Sequence, residues 1–409
     1  MASLARFDPF LPEIHANPYP FYAQLREHDP LHWGMPFLAT QPGAWYVSRY
    51  EDVVRILKDP AFVKNQRTSS PTETPAPVPR EIQFYAEMAR HAILLNDPPD
   101  HTRLRKLVSQ AFTPRTVERM RAPITASAQA LLDAAAAQGE VELLADFAFP
   151  LTLQVIAAMI GVPDDRRDLL SRWSRVLIRT LDLAPSLDDF LAANQVAYEA
   201  FDFFHDLLAA RRAHPADDLL SHLIAAHDHE DRLSEDELIV MCSLLLVAGF
   251  DTTVNLIGNG ALALLQHPDQ LALLREHPEL LPSAIEELLR YEPSTQKALR
   301  YAATERELHG KRIGAGQAVI ALLAAANRDP AVFPEPDRLD ITRAENRHLG
   351  FGTGIHICLG APLARLEGQI AISMLLRRFP RLALVDAMPA WRDDLVTFRR
   401  LARLPVAIA

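Results

Sequence analysis

Phe351-Gly352-Thr353-Gly354-Ile355-His356-Ile357-Cys358-Leu359-Gly360 places one of the chain's two cysteines on a glycine-rich turn where a helix begins. Leu363, Leu366, Ile370, Met374 and Leu375 recur at helical spacing between Leu359 and the Phe379-Pro380 stop. A cysteine at a helix N-terminus meets unpaired backbone N–H groups and the positive end of the helix dipole. Both favour a thiolate, and so a nucleophile or a metal ligand. Four of the 15 glycines, Gly350, Gly352, Gly354 and Gly360, crowd into the same region. Main chain is therefore expected to pass close to something flat or bulky. The competing reading of Cys358 is a small buried hydrophobe, the commonest role of a lone cysteine.

Outward from this stretch, the chain reads as a large acidic globular protein: 409 residues, 49% hydrophobic, 23% charged, 31 prolines and a formal net charge of −10. No Gly/Ser linker, internal repeat or charge block divides it, so residues 1–409 are expected to form one domain. Phosphate-binding faces need clustered Lys and Arg, and none occur, which argues against nucleic acid as a partner. Met1 to Pro20 carries Asp8, Glu13 and four prolines around no apolar core, unlike a signal peptide or membrane anchor. A cytoplasmic monomer with reduced thiols is expected.

Periodicity predicts helices over 19–28, 50–58, 101–112, 115–138, 143–160, 165–180, 188–213, 217–228, 234–266, 268–276, 282–291 and 359–379. Strand signals are confined to Ala44–Ser48, a hairpin-like stretch from Glu307 to Leu323, and Leu395 to Ile408. The fold class is mainly α with small β-sheets. Residues 64–80 are irregular and proline-rich, which predicts a surface loop, inert or acting as a lid.

Ser234 with Glu237 forms a capping-box pattern, and His267-Pro268 stops the helix it starts. About 33 residues at 1.5 Å rise span roughly 50 Å, enough to cross the molecule through its core. Its apolar run, Leu238 to Gly249, is too short and interrupted for a membrane span. Its centre, Ala248-Gly249-Phe250-Asp251-Thr252-Thr253, sets an acid and two hydroxyls where buried polar groups need partners. A structural explanation has Thr252 bonding the carbonyl one turn back and Asp251 meeting a core arginine; a functional one makes the pair a proton relay. Cys242, on the same helix, reads as core.

Glu286-Glu287-Leu288-Leu289-Arg290 puts either glutamate within helical reach of Arg290. His101 and Arg105 share a helix face at spacing four, while Arg103 and Lys106 point elsewhere as solvated charge, with docking of an acidic electron donor as their functional alternative. His227-Asp228-His229-Glu230-Asp231 lacks zinc spacing and reads as a solvated loop. No nicotinamide or flavin fingerprint is found.

The string Phe-Gly-x-Gly-x-His-x-Cys-x-Gly followed by Leu363-Ala364-Arg365 resembles the haem-binding loop of the cytochrome P-450 family. The resemblance implies a soluble, bacterial-type haem-thiolate monooxygenase with haem b (iron protoporphyrin IX) as cofactor. It makes Cys358 the iron ligand, places Phe351 near the sulfur, and sets His356 by a haem propionate. Ala248-Gly249 is similar to the family's small pair that makes room for dioxygen, and Asp251 with Thr252 to its proton-relaying acid and alcohol. Glu287, Arg290 and Arg343 match the family's buried network, and His101, Arg105 and Arg300 its propionate-binding cations. The substrate pocket is implied at Leu244, Val247, Thr295, Gln296, Thr397 and Phe398, with Lys297 as a further polar contact. That mostly apolar set suggests a lipophilic ligand. Electrons would come from a ferredoxin or flavodoxin and its NAD(P)H-dependent reductase. Two other readings are a peroxide-driven peroxygenase and a non-catalytic haem-thiolate sensor or carrier; Asp251 and Thr252 count against both.

Overall fold

The computed structural model describes residues 7–35, 42–69, 77–137, 140–228, 231–386 and 390–408. Residues 70–76 of the proline-rich stretch, together with His229 and Glu230, lie outside them. Its axis is the central helix Glu235–Gln266, which runs unbroken. Ser234 accepts from the Glu237 amide at 3.2 Å while Glu237 accepts from the Ser234 amide at 2.8 Å. This reciprocal cap satisfies two of the N–H groups that a helix start leaves unpaired. The helix is long and apolar enough to cross a membrane by composition, but two thirds of its most apolar window is buried inside the molecule. A helix that is apolar all round is a core helix. It packs on Phe149–Ile160, Arg167–Leu177, Leu187–Ala213, Leu281–Tyr291 and Ala361–Arg378.

Several helices begin or end where proline chemistry dictates. The stretch expected as one helix over 115–138 is two, Pro114–Arg119 and Arg121–Ala135. Pro123 has no N–H to give the Arg119 carbonyl, so the ladder restarts at Met120. Pro150 interrupts the ladder in the same way, and Leu144–Ala148 forms a π-helical turn ahead of Phe149–Ile160. The helix expected over 217–228 covers only Leu219–Ala225, because His227-Asp228 pairs antiparallel with Asp231-Arg232.

The larger sheet has five strands in the order Leu31–Gly34, Ala44–Val47, Ala318–Leu322, Lys297–Ala302, Phe62–Val63. Trp45 pairs antiparallel with Trp33 and parallel with Val319, which in turn pairs antiparallel with Arg300. Val63 then pairs with Tyr301. This register brings the chain near Lys64 beside Arg300. The stretch from Glu307 to Leu323 is not one hairpin. Arg306–Leu308 and Lys311–Ile313 close around His309 and Gly310, both at positive φ (51° and 69°), a pattern suited to a two-residue hairpin turn. Ala318–Leu322 leaves that hairpin for the large sheet, as an all-apolar run buried throughout requires. Of 395–408, only Pro405–Ala407 is a strand, between Ala383–Leu384 and Glu140–Glu142. Gln66–Ser69 makes one helical turn ahead of the prolines, and the helix Gln83–Ala89 follows them.

Candidate active site

Cys358 lies three residues ahead of the helix Ala361–Arg378, with Gly360 as its N-cap. Its amide donates to the Phe351 carbonyl at 3.0 Å, closing the loop on itself. Gly354 has φ +75°, and a Cβ there would stand 2.4 Å from the Leu57 carbonyl. The bulky neighbour that demands this glycine is therefore protein backbone. Burial pushes the Cys358 thiol up, while N–H groups of Gly360 and Ala361 and the Arg105 and Arg365 cations pull it down. The expected thiolate is thus not obtained from the helix terminus alone; desolvation outweighs the partial charges. A metal cation at the sulfur supplies the missing charge, since a coordinating thiol loses its proton. Cys242 is different: it is buried in the central helix, and burial pushes its thiol up to about 12.

Exposure at the cysteine loop and in the middle of the central helix marks a candidate cleft. Cys358, Ile355 and Ile357 are exposed, and so is Ala248 in the middle of the central helix, although Leu246, Val247 and Phe250 around it are buried. One rim of the cleft collects positive charge without its complement. The His101 and His356 rings meet at 4.3 Å, tilted by 54°, each with a buried ring nitrogen (Nδ1 and Nε2) lacking a partner among the described residues. Arg300 is 4% exposed and donates only to the Leu299 carbonyl; burial lowers its pKa to about 10. Lys64, lowered by burial and by Arg300 to about 7, belongs to the same group. Arg105 makes no hydrogen bond or ion pair among the described residues. The acid nearby is Asp97, whose oxygens already accept from the Lys64 and Asn65 amides at 2.8 and 2.9 Å. Burial, Arg300, His101, Lys64 and Arg105 together drive His356 down to about 2. Such a cluster needs carboxylates from outside the chain. The exposed cysteine and this group of cations and imidazoles beside it fit an iron porphyrin bearing two propionates.

Behind the cysteine loop lie two ion-pair systems. Arg290 donates through Nε and Nη2 to both Glu287 oxygens at 2.8 Å, and both side chains are wholly buried. Arg343 and Asn346 reach Glu287 Oε2 at 3.2 and 3.1 Å, and the Asp340 amide reaches Oε1 at 2.8 Å. The remaining N–H groups of Arg290 go to the carbonyls of Asn327, Pro336 and Arg338. Glu286, the alternative partner by spacing, turns the other way to Arg365 (2.6 and 2.8 Å) and His348 (3.0 Å). Burial alone would raise its pKa, but these partners hold it at about 2. Arg365 in turn lies 4.7 Å over the Phe351 ring. Arg103 is not the solvated charge expected from its face. It bonds Glu237 at the cap of the central helix, with Asp231 at 3.6 Å.

On the opposite side, Thr252 Oγ1 donates to the Ala248 carbonyl at 2.6 Å and Thr253 Oγ1 to that of Gly249 at 3.0 Å. Asp251 meets Arg400 at 3.2 Å, and Arg400 continues to Asp394 at 2.6 Å. Burial raises the Asp251 pKa and Arg400 opposes it. A Cβ on Gly249 would reach Ile156 at 3.0 Å, so this glycine also serves helix packing. Leu244 and Val247 line a mostly apolar pocket with Tyr85, Leu177, Thr180 and Phe201. Its polar feature is Tyr85 Oη donating to Thr180 Oγ1 at 2.7 Å. Gln296 and Phe398 line a second, smaller pocket instead. Thr295 bridges to Phe398, and the Thr397 carbonyl accepts from the Gln296 amide at 2.8 Å. The expected substrate set is thus not brought together: two of its residues line one cavity, two line another, and Thr295 and Thr397 line neither.

Residues 189–389 match the cytochrome P450 family model. The chain is 44% identical to the biotin biosynthesis cytochrome P450 of Bacillus subtilis (strain 168), over 96% of this chain and 97% of that one. The chain belongs to the cytochrome P450 family. It is likewise 44% identical to the vitamin D(3) 25-hydroxylase of Pseudonocardia autotrophica, over 96% of this chain and 94% of the relative. The crystal structure of P450BioI, in complex with an acyl carrier protein ligated to hexadec-9Z-enoic acid, superposes with a TM-score of 0.90 at 42% identity, covering 97% of this chain and 99% of that one. The P450 is accordingly a monooxygenase of bacterial type that carries haem b through a cysteine thiolate.

Arg365 was read from the sequence as part of the motif string but without its role. Lys64 and Arg400 gave no signal, because Arg300 and Asp251, on which they act, lie far away in sequence.

Proposed function

We propose that this P450 inserts one oxygen atom from O2 into a lipophilic small molecule, with Cys358 as the iron ligand and electrons supplied by a ferredoxin or flavodoxin and its reductase in the cytoplasm. The observation that carries the reading is Cys358, exposed beside Arg105 and a group of cations that lacks carboxylate partners among the described residues. Haem, when bound, supplies reductive activation of dioxygen and the oxidant that attacks the substrate. The chain's own residues do the rest. His101, Arg105, Arg300 and His356, joined by Lys64, hold the propionates. Gly360 and Ala361 amides and the Arg365 cation stabilise negative charge on Cys358. Burial raises the Asp251 pKa, which suits its carboxyl to taking up a proton, and Thr252, whose hydroxyl donates to the Ala248 carbonyl, is the group to pass that proton on. Leu244, Val247 and the aromatic walls exclude water and hold an apolar body over the cleft.

A peroxygenase would not need the Asp251–Thr252 relay, and that pair favours the reductive route. Reduced protein under carbon monoxide is expected to give the red-shifted Soret band of thiolate ligation. Product should then form with ferredoxin, reductase and NAD(P)H. Turnover with hydrogen peroxide alone, equal to that with the electron-transfer chain, would overturn the reductive reading. A library of hydrophobic acids and macrolides that produced no spin-state shift would overturn the lipophilic-substrate reading.

A further inference from the structure

The second, small pocket is bounded by Tyr22 of the helix Tyr19–His28, by Gln296 and Lys297 at the start of a sheet strand, and by Arg392, Phe398 and Arg399 of the C-terminal segment. Cations line it and no acid does. Two of the cations are matched. Arg399 meets Glu292 at 3.2 Å and the Ala16 carbonyl at 3.0 Å, and Arg392 meets Asp394 at 2.8 Å. Lys297 is not. It is 5% exposed, its Nζ donates to the Val396 carbonyl at 2.5 Å, and it forms no ion pair among the described residues. An ammonium has three donors, so two are left over. Asp182 acts on Lys297 only at longer range, and its oxygens are taken by the Val396 and Thr397 amides at 3.0 and 2.7 Å. Burial lowers Lys297 to about 8.

Two further polar atoms on this wall are orphaned. Tyr22 Oη is wholly buried with no partner among the described residues, and so is Gln296 Oε1 on a residue 3% exposed. A buried cation, a buried hydroxyl and a buried amide oxygen without partners around one cavity are unlike the near-complete satisfaction of native interiors. They describe a site built for a polar guest. A single unmatched ammonium calls for a single negative charge, which suits a carboxylate better than a phosphate dianion.

We propose that this pocket binds a carboxylate, with Lys297 and Tyr22 as donors and Gln296 Oε1 accepting from a water or hydroxyl beside the anion. The carboxylate is either that of a free small acid or the terminal group of a long-chain substrate that reaches the pocket past Phe398. The second source rests on the monooxygenase reading; the first does not.

The holoenzyme is titrated with butyrate and n-butanol by calorimetry, and with hexadecanoate and methyl hexadecanoate by the Soret spin-state shift. At least a tenfold preference for the acid is expected in one of the two pairs. Lys297→Met should abolish that preference, Lys297→Arg should keep most of it, and Tyr22→Phe, which removes an unpaired hydroxyl without changing shape, should reduce it severalfold. Butyrate binding with an unchanged Soret band assigns the free acid; a hexadecanoate preference without butyrate binding assigns the substrate's own group. Equal binding of acid and neutral partner in both pairs, or a preference that survives Lys297→Met, overturns the proposal. A failure of reconstituted turnover would overturn the monooxygenase reading and leave a butyrate result standing.

Discussion

At the scale of single residues, the sulfur and the acid are poised in opposite ways. Cys358 is too desolvated to ionise on the pull of two amides, so its charge depends on the metal it binds. A serine hydroxyl is a far poorer ligand. Cys358→Ser is expected to lose the red-shifted Soret band of the reduced carbon monoxide complex and product formation together; full activity in that variant would refute the ligand assignment. Asp251 is held between burial, which raises its pKa, and Arg400, which lowers it. Replacing Arg400 with Met removes the lowering partner, so the carboxyl should keep its proton to higher pH. The alkaline limb of the coupling of oxygen consumption to product should therefore move to higher pH in Arg400→Met. Asp251→Asn should abolish that limb, and Thr252→Ala should divert the electrons to peroxide while substrate binding persists.

At the scale of elements, the helix Leu281–Tyr291 supports the cysteine loop through neighbouring residues that turn opposite ways. Glu287 closes a buried network with Arg290, Arg343 and the Asp340 amide, whereas Glu286 orients Arg365 over Phe351. Removing one member of a buried pair strands the other charge, at about 3–5 kcal/mol. Glu287→Gln is thus expected to lower the thermal midpoint sharply and to purify with little haem. Glu286→Gln, whose pair is partly solvated, should keep haem and lose less stability. The spacing Glu-x-x-Arg was legible because it lies within one helical turn. The third partner, Arg343, was legible only by resemblance, and Arg365 was seen without its role. Strand Lys297–Ala302 escaped because its cations mask the alternation of a half-buried strand, and both its neighbours come from distant sequence. The cleft rim escaped in part for the same reason. Lys64 reaches Arg300 only once Val63 has paired with Tyr301, a contact that no local pattern encodes.

At the scale of the whole molecule, the core formed around the central helix contains a carboxyl whose charge has no match among the described residues. Glu367, on the helix Ala361–Arg378, is 2% exposed, its Oε1 has no partner, and burial raises its pKa to about 8. In the unfolded chain the same carboxyl ionises near 4.5. Between those two values the folded protein holds a proton that the unfolded chain releases. Unfolding is therefore favoured increasingly as pH rises through that window, and the trend levels off above about 8. Below pH 4.5 both states are protonated and the burden vanishes. Each pKa unit corresponds to ~1.4 kcal/mol, so the wild-type loss across the window amounts to several kcal/mol. A neutral isostere removes this dependence. Guanidinium midpoints of the holoenzyme at pH 6 and pH 8 should fall further for the wild type than for Glu367→Gln. Taking the difference between the two proteins cancels the opposite contribution of Lys64, whose lowered pKa makes stability rise with pH above about 7. Equal falls in the two proteins would mean that Glu367 finds a counter-charge when haem is bound.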